Sequence, residues 1–168
     1  MFHYDMPEEL WSEILPGLYQ GGTADHDDRT FGRGTPMITR ENFDTVITLY
    51  AHAGPVDWYV KEVRLGFYDH DEVDLDEHDL AHAVRTAYRD WVRGKRVLIR
   101  CQAGWNRSGL ITALVLIHFG YTPEDAIALI REKRSPHALC NDYFERWIRQ
   151  EGEAFVARIG TSPSYRAA

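Results

Sequence analysis

The segment spanning residues 96–120 limits the folds open to this chain more than any other. Residues 96–100 (Arg-Val-Leu-Ile-Arg) have an apolar, partly β-branched centre, which predicts a short central strand. A loop follows at residues 101–106, and an apolar helix then runs over residues 108–119 and ends at Gly120. A loop that leads into a helix N-terminus binds anions, because the first amide N–H groups have no partner within the helix. The segment therefore predicts a phosphate-binding loop between a central strand and a helix.

Two side chains of this loop suit phosphate chemistry. Arg107 can place two donors on two phosphate oxygens and can stabilise the charge that spreads over a phosphoryl group during transfer. Unfilled N–H groups, a helix N-terminus and a nearby arginine favour thiolate over thiol at Cys101, which would then be a nucleophile. The alternative is an inert core cysteine at a strand end. Such a cysteine has no need of Gly104, Arg107 and Ser108 around it, so we favour the nucleophile.

The backbone of the same loop is expected to bind the phosphate. Successive N–H groups can form a concave nest around an anion, and Gly104 lets the backbone curl tightly. The predicted phosphate-binding residues are Gln102, Ala103, Gly104, Trp105, Asn106 and Arg107. Two interpretations of the Trp105 ring stay open, since it could line the mouth of the pocket or pack beneath the loop.

Strands and helices alternate along the rest of the chain. Further strands are predicted at residues 18–20, 45–49 and 60–68, and further helices at 76–93, 122–134 and 141–159. Residues 1–12 are interpreted as an irregular lead-in, and residues 23–38, which are rich in Asp, Gly and Thr, as a loop. This alternation around one core predicts an α/β fold.

Length and composition narrow the class of protein. The 168 residues are expected to form one domain over residues 1–160, with a flexible tail at 161–168. A formal net charge of −7 argues against a nucleic-acid partner held mainly by charge. The longest apolar run is far shorter than the ~20 residues that cross a bilayer, and the N-terminus does not have the pattern of a signal peptide. We therefore expect a cytoplasmic protein with no membrane partner, in which Cys101 and Cys140 are both thiols.

Residues 100–108 (Arg-Cys-Gln-Ala-Gly-Trp-Asn-Arg-Ser) resemble the His-Cys-x5-Arg-Ser/Thr loop of a known family. That family is the dual-specificity branch of the cysteine-dependent protein tyrosine phosphatase superfamily. Residues 14–22 and 43–49 are similar to its first two strands, and residues 134–144 to a late segment that links two helices. The resemblance covers residues 14–148. It implies a three-layer α/β fold with a central, mostly parallel, twisted sheet of about four to five strands flanked by helices.

The resemblance also implies a reaction. Cys101 attacks phosphorus and takes the phosphoryl group as a phosphocysteine intermediate, which water then hydrolyses, with no metal or other cofactor. Ser108 would hydrogen-bond the cysteine sulfur and help it to leave. The implied enzyme is a protein-tyrosine or dual-specificity phosphatase. Its partner would be a phosphorylated protein or peptide carrying phosphotyrosine, with phosphoserine and phosphothreonine as further candidates, and phosphate or another oxyanion would fit the site.

The leaving oxygen needs a proton donor, and the family supplies an aspartate roughly 30 residues before the cysteine. Asp69 lies 32 positions before Cys101, and Asp71 lies 30 before it. The family pattern Asp-x4-Asn/Asp-Leu is matched by Asp69, Asp74 and Leu75. This match favours Asp69 as the general acid and leaves Asp71 as the alternative.

Two loop positions bear on the choice among related functions. Arg100 stands where the family usually has a histidine that helps to orient the loop, and its guanidinium either adds positive charge near the thiol or points into solvent. Asn106 occurs before the loop arginine in several phosphatases, including those that resemble RNA 5′-triphosphatases. The alternatives are an RNA 5′-triphosphatase, which the net charge disfavours, a small-metabolite phosphatase of the same mechanism, or a catalytically weak phosphate-binding module.

Two further groups have the composition of a metal site. His78 and His82 lie four residues apart on a predicted helix, and residues 25–28 read Asp-His-Asp-Asp. We interpret the first group as a solvated helix face and the second as a loop, and we predict no metal site.

Asn141 resembles a family position that steadies the phosphate loop, although a helix N-cap is the simpler interpretation. Cys140 is expected to be structural.

Overall fold

The computed structural model describes residues 9–23, 38–72 and 76–160. Its elements within these ranges are β1 (Trp11–Leu15), β2 (Leu18–Gly21), β3 (Thr45–Thr48), β4 (Lys61–Arg64), α1 (Glu77–Val92), β5 (Val97–Arg100), α2 (Arg107–Phe119), α3 (Pro123–Lys133) and α4 (Asp142–Ile159). Most of the predicted loop at 23–38 and all of the predicted tail at 161–168 lie outside the described residues.

The predicted strands and helices are present, and the main error lies at the N-terminus. The interpretation of residues 1–12 as an irregular lead-in is wrong at Trp11 and Ser12, which open β1. That strand pairs antiparallel with β2 through a tight turn at Gly17, whose φ of 83° lies in the left-handed region. The strand predicted over residues 60–68 is also shorter than expected, since β4 ends at Arg64.

The five strands form one sheet in the order β1-β2-β5-β3-β4. The pairs β2–β5, β5–β3 and β3–β4 are parallel, and only the β1–β2 pair, at one edge, is antiparallel. The predicted mostly parallel α/β sheet is therefore confirmed, with β5 at its centre. The carboxyl ends of parallel strands meet at one edge of a sheet, so the residues that follow β3, β4 and β5 come together there.

Alternation along the strands divides the core into two clusters. Val97 and Ile99 of β5 pack into the larger cluster, to which all four helices contribute. Leu98 faces the other way and packs with Val46, Phe43 and neighbouring apolar side chains in a smaller cluster. Helix α2 is the central helix, and ten consecutive residues from position 108 to 117 are buried. An all-round apolar helix of this kind is held on every side by its neighbours.

Side chains cap three of the helices at their N-termini. Asp76 accepts from the amide of His78 before α1, Thr122 accepts from the amide of Asp125 before α3, and Asn141 caps α4. No helix in the described ranges is long and apolar enough to span a membrane.

Candidate active site

Cys101 lies at the carboxyl end of the central strand, directly before the loop that leads into α2. Its side chain is buried, with 2% of its surface exposed. The sulfur lies 3.3 Å from the hydroxyl oxygen of Ser108, which is within hydrogen-bond distance for a sulfur atom. The Cys101 amide donates to the carbonyl of Gly21 on β2 at 3.2 Å, so the loop starts from a fixed backbone position.

The carbonyl oxygens of the loop point outward and are held by neighbouring groups. The amide of Thr23 donates to the carbonyl of Gln102 at 3.0 Å. The side-chain amide of Gln20 donates to the carbonyl of Gly104 at 3.1 Å. All described peptide bonds are trans, so the N–H of each of these peptide units points the opposite way from its carbonyl. The amides therefore face the concave side of the loop, where they can bind an anion.

Arg134, at the end of α3, holds the outer side of the same loop. Its guanidinium donates to the carbonyls of Gly104 at 3.2 Å and Ala103 at 3.3 Å, and to the hydroxyl of Ser12 at 3.1 Å. Burial lowers the pKa of Arg134 to about 10, and the charge of Cys101 opposes that shift. Arg134 was not among the predicted site residues.

Glycines allow the loop to lie directly on the end of β2. Gly104 has a φ of 74°, and a Cβ atom there would lie 2.4 Å from the carbonyl carbon of Gly21. A Cβ atom on Gly22 would lie 2.8 Å from the carbonyl oxygen of Gln102. No side chain can therefore be added on either surface without moving backbone. Two consecutive glycines, Gly21 at the end of β2 and Gly22 directly after it, were the sequence signal for this close approach.

Arg107 spans the gap between the loop and the ends of two other strands. Its Nη1 donates to the carbonyl of Phe67 at 3.0 Å and of Leu49 at 3.3 Å. Its Nε is buried and has no hydrogen-bond partner within the described ranges. The ring of Tyr50 lies 5.5 Å from the guanidinium carbon. The side chain is thus fixed on one edge, and its Nε–H can donate to an anion.

The Trp105 ring packs beneath the loop and does not line the mouth of the pocket. Trp105 is buried, with 7% of its surface exposed, and its ring lies 5.7 Å from that of His137. Its carbonyl accepts from the amide of Leu139 at 3.2 Å. Of the two interpretations of this ring, packing beneath the loop is therefore correct.

Asp69 lies beside the loop and contacts it directly. The side-chain amide of Asn106 donates to Asp69 Oδ2 at 3.0 Å, and that of Asn141 donates to Asp69 Oδ1 at 2.7 Å. Asp71 is exposed and, like Asp69, lines an open cavity beside the loop. The structure thus brings Asp69 to the loop through two amide side chains, and Asp74 and Leu75 lie outside the described residues.

Asn141 serves both of the roles considered for it. Its Oδ1 accepts from the amides of Tyr143 and Phe144 at the start of α4, which makes it an N-cap. Its backbone amide donates to Asn106 Oδ1 at 3.1 Å, and its side-chain amide also donates to the carbonyl of His70. One residue therefore links the helix, the phosphate loop and the segment that carries Asp69.

An open cavity of about 700 Å³ adjoins Asp69 and Asn106. Its lining includes the carboxylates of Asp69, Asp71 and Asp142 and the guanidinium of Arg146. Cys140, expected to be structural, is instead exposed at this cavity. Both cysteines are free thiols.

Arg100 does not point into solvent. Its side chain is among the most buried large side chains of the described residues, with 1% of the residue exposed. Its guanidinium donates to the hydroxyl of Thr48 and to the carbonyl of Gly54.

Within the described residues, no group of three or more His, Cys, Asp or Glu side chains could hold a metal ion, and residues 25–28 lie outside them.

No protein-family model and no curated protein matches the sequence, but solved structures match the fold. Human DUSP28 is 20% identical, with a TM-score of 0.70, over 89% of this chain and 97% of its own. Tk-PTP in its active form is 20% identical, with a TM-score of 0.66, over 88% of this chain and 99% of its own. PTPMT1 in complex with PI(5)P is 20% identical, with a TM-score of 0.63, over 90% of this chain and 100% of its own. The chain therefore has the fold of the dual-specificity phosphatases, and the resemblance is confirmed at the level of the fold.

Proposed function

We propose that this chain is a cysteine-dependent protein phosphatase that hydrolyses phosphotyrosine, with phosphoserine and phosphothreonine as further substrates. The observation that carries the proposal is the thiol of Cys101 at the base of a loop whose amides face inward. Arg107 adds a buried Nε–H without a described partner, and Ser108 lies 3.3 Å from the sulfur. A set of fixed donors around one nucleophile is what phosphoryl transfer requires, since catalysis there is mostly positioning and electrostatic stabilisation.

In the first step the Cys101 thiolate attacks phosphorus in line with the ester oxygen. The sulfur–phosphorus bond forms and the phosphorus–oxygen bond to the leaving group breaks, giving phosphocysteine. Inward-facing amides and Arg107 stabilise the charge on the transferring phosphoryl oxygens. Asp69 gives its proton to the leaving oxygen, so the leaving group departs as a neutral alcohol or phenol.

In the second step water attacks the phosphocysteine. Asp69, now a carboxylate, takes a proton from the water, the phosphorus–sulfur bond breaks, and inorganic phosphate forms. The sulfur leaves as a thiolate, which can only accept a hydrogen bond, and the Ser108 hydroxyl lies 3.3 Å from it and can then donate. Because the chemistry needs a thiol at Cys101, we propose that the enzyme works in a reducing compartment, the cytoplasm.

We assign the acid to Asp69 rather than Asp71. Asp69 is hydrogen-bonded to Asn106 of the phosphate loop, whereas the described contacts give Asp71 no such link. A general acid must lie within reach of the leaving oxygen, directly or through one water. Contact with the loop that holds the phosphate supports that position for Asp69.

The surroundings of the site support phosphomonoesters over polyanionic substrates. Three carboxylates and one guanidinium line the adjacent cavity, so a second or third phosphate there meets mostly like charge. This disfavours a 5′-triphosphorylated RNA end. Asn106, which suggested that substrate, has another role here, since its side chain holds Asp69.

Hydrolysis of para-nitrophenyl phosphate with a chelator present tests the mechanism. We expect chelator-resistant turnover by the wild type, and a loss of at least about 10,000-fold in kcat for Cys101→Ser. Acid quenching during turnover, followed by mass spectrometry, should find phosphate on the Cys101 peptide. Turnover that needs a metal, or that survives in Cys101→Ser, would contradict the proposal. Vanadate binding without any turnover would instead favour the phosphate-binding module.

A substrate panel tests the specificity. Matched phosphotyrosine and phosphoserine peptides, PI(5)P and a triphosphorylated RNA should be compared by kcat/KM. We expect the peptides to be the better substrates, and Asp142→Asn to raise activity on the polyanions more than on the peptides. A preference for the RNA in the wild type would overturn the protein-phosphatase assignment while leaving the cysteine mechanism intact.

A further inference from the structure

We propose that Arg100 is a positioning residue that fixes the loop at residues 50–54 and thereby holds Tyr50 against the phosphate-binding Arg107. This inference rests on the proposed function, because Arg107 matters only if the site binds a phosphoryl group. It assigns a role to the residue that departs from the family's usual histidine. In this role Arg100 acts on the far wall of the site and not on the adjacent thiol.

Arg100 lies on the opposite face of the sheet from Cys101. Successive side chains of a strand point to opposite faces, and Cys101 packs in the core cluster on the helix side. Arg100 instead pairs in register with Thr48 of β3, and its Nε donates to the Thr48 hydroxyl at 3.0 Å. Its Nη2 donates to the carbonyl of Gly54 at 2.7 Å.

A shared carboxylate balances the buried charge of Arg100. Glu62 of β4 lies on the same face, with its Oε1 3.5 Å from Arg100 Nη2. That oxygen also accepts from the Thr48 hydroxyl at 2.7 Å and from Arg64 Nη2 at 2.8 Å. A buried guanidinium is tolerated when it is paired and its donors are used. The four residues therefore form one connected network across β5, β3 and β4.

The network ends on the backbone of the 50–54 loop. Arg64 Nη1 donates to the carbonyls of Ala53 at 2.9 Å and Ala51 at 3.2 Å, and its Nη2 lies 3.3 Å from the carbonyl of Gly54. Arg100 binds that same Gly54 carbonyl from the buried side. Two guanidiniums that share one carboxylate thus fix three carbonyls of a single short loop.

The loop begins beside Arg107. Tyr50 places its ring 5.5 Å from the Arg107 guanidinium carbon, and His52 packs edge-on against that ring at 5.6 Å. The carbonyl of Leu49, one residue earlier, accepts from Arg107 Nη1. A shift of the loop would therefore move the aromatic face that restricts the guanidinium.

An arginine is needed at position 100 because its side chain must contact three separate groups at once. Arginine presents five N–H donors in a rigid fork, whereas a histidine ring has at most two and is shorter. Only the longer side chain can bind Thr48, Gly54 and Glu62 together. A lysine keeps the positive charge but cannot make these hydrogen bonds together. Arg100→Lys therefore separates an effect of the charge on the Cys101 thiol from the fixing of the 50–54 loop.

The experiment compares Arg100→Lys, Tyr50→Ala and the double variant. We expect the Kd for vanadate to rise about fivefold and kcat/KM for para-nitrophenyl phosphate to fall about fivefold in each single variant, because a displaced Arg107 binds the phosphoryl group less well in both the ground state and the transition state. The double variant should be no worse than the poorer single one, because both changes remove the same restraint on Arg107. The pH dependence of iodoacetamide labelling at Cys101, followed on its peptide by mass spectrometry, should match the wild type.

Two results would overturn the inference. One is a shifted pH dependence of Cys101 labelling in Arg100→Lys, which would mean that the cation acts on the thiol. The other is full additivity of the two changes in vanadate affinity. If Arg100→Lys does not fold, Thr48→Val and Glu62→Gln remove parts of the same network and should show the same non-additivity with Tyr50→Ala. A wild type that binds vanadate without turnover would end the proposed function but leave this test valid.

Discussion

The two halves of the candidate site are held in different ways. The phosphate loop is fixed by backbone packed on backbone and by buried donors. Gly104 lies against Gly21 with no room for a Cβ atom, and Arg134 binds two loop carbonyls from below. The segment that carries Asp69 is exposed, and two asparagine side chains hold its carboxylate.

This difference predicts different tolerance to change. A backbone contact cannot relax without moving a strand end, so damage to the loop should affect binding and turnover together. Exposed amide–carboxylate contacts can re-form or be replaced by water, at a smaller cost. Variants in the two halves of the site test this contrast.

The first prediction concerns the backbone of the phosphate loop. Gly104→Ala forces a Cβ atom into the Gly21 carbonyl group at a φ of 74°. Each well-placed donor in such a site is worth about 100-fold or more, so displacing several amides should lower kcat/KM by about 1,000-fold. Vanadate affinity should fall with it. Gly94→Ala is the matched control, because Gly94 also has a positive φ of 83° but open space around it. Equal activity of the two variants would show that the close contact between Gly104 and Gly21 is not needed to hold the phosphate loop.

The second prediction concerns Asp69, the proposed general acid. Asp69→Asn should lower kcat by about 100-fold for a phosphoserine peptide, whose alkoxide leaving group needs a proton. The loss should be much smaller for para-nitrophenyl phosphate, whose phenolate leaves readily. Vanadate affinity should stay close to that of the wild type. If Asp71→Asn shows this dependence on the leaving group and Asp69→Asn does not, Asp71 is the acid.

The third prediction concerns the support beneath the loop. Arg134→Lys keeps a cation but cannot bind both loop carbonyls and Ser12 at once. We expect kcat/KM to fall about tenfold and the free energy of unfolding in urea to fall by about 2 kcal/mol. Arg85→Lys is the control, since Arg85 also binds a backbone carbonyl, that of Ile159, which is not part of the loop. A loss of stability without loss of kcat/KM would make Arg134 merely structural.

The smallest effect is expected at the bridge between the two halves. Asn106→Ala removes the amide that donates to Asp69 but leaves Asn141 in place. We expect kcat for a phosphoserine peptide to fall about fivefold, and kcat for para-nitrophenyl phosphate to change less. A larger loss in vanadate affinity than in kcat would show that Asn106 serves the phosphate and not the acid.

Local patterns in the sequence predicted most of the elements. The apolar runs at β5 and α2 are long enough to identify a strand and a helix without any partner, and the loop between them follows from their order. Strand β1 was missed because a five-residue strand at the sheet edge has only one pairing partner and only two fully buried positions. The helix caps at Thr122 and Asn141 were visible because capping is local.

The supports of the candidate site were harder to predict, because they act between distant parts of the chain. Gln20 and Arg134 meet the loop from 84 and 30 positions away, and nothing near them in sequence marks them for that contact. Spacing alone could not separate Asp69 from Asp71, since both lie at a suitable distance from Cys101. The roles of Cys101, Arg107, Ser108 and Asp69 stay predictions until the variants are measured.

The position of Arg134 also has a consequence for the order in which the protein assembles. Its Nη1 donates to the carbonyl of Glu9, 125 positions away, while its Nε and Nη2 bind the loop. Contacts between such distant residues form late in folding, because loop closure must come first. A ribosome-bound chain therefore carries the Cys101 thiol well before it can complete the loop around it. We expect vanadate binding to appear only in the last phase of refolding, after helical circular dichroism has recovered, because the loop is complete only when Arg134 has met Glu9 and Ser12.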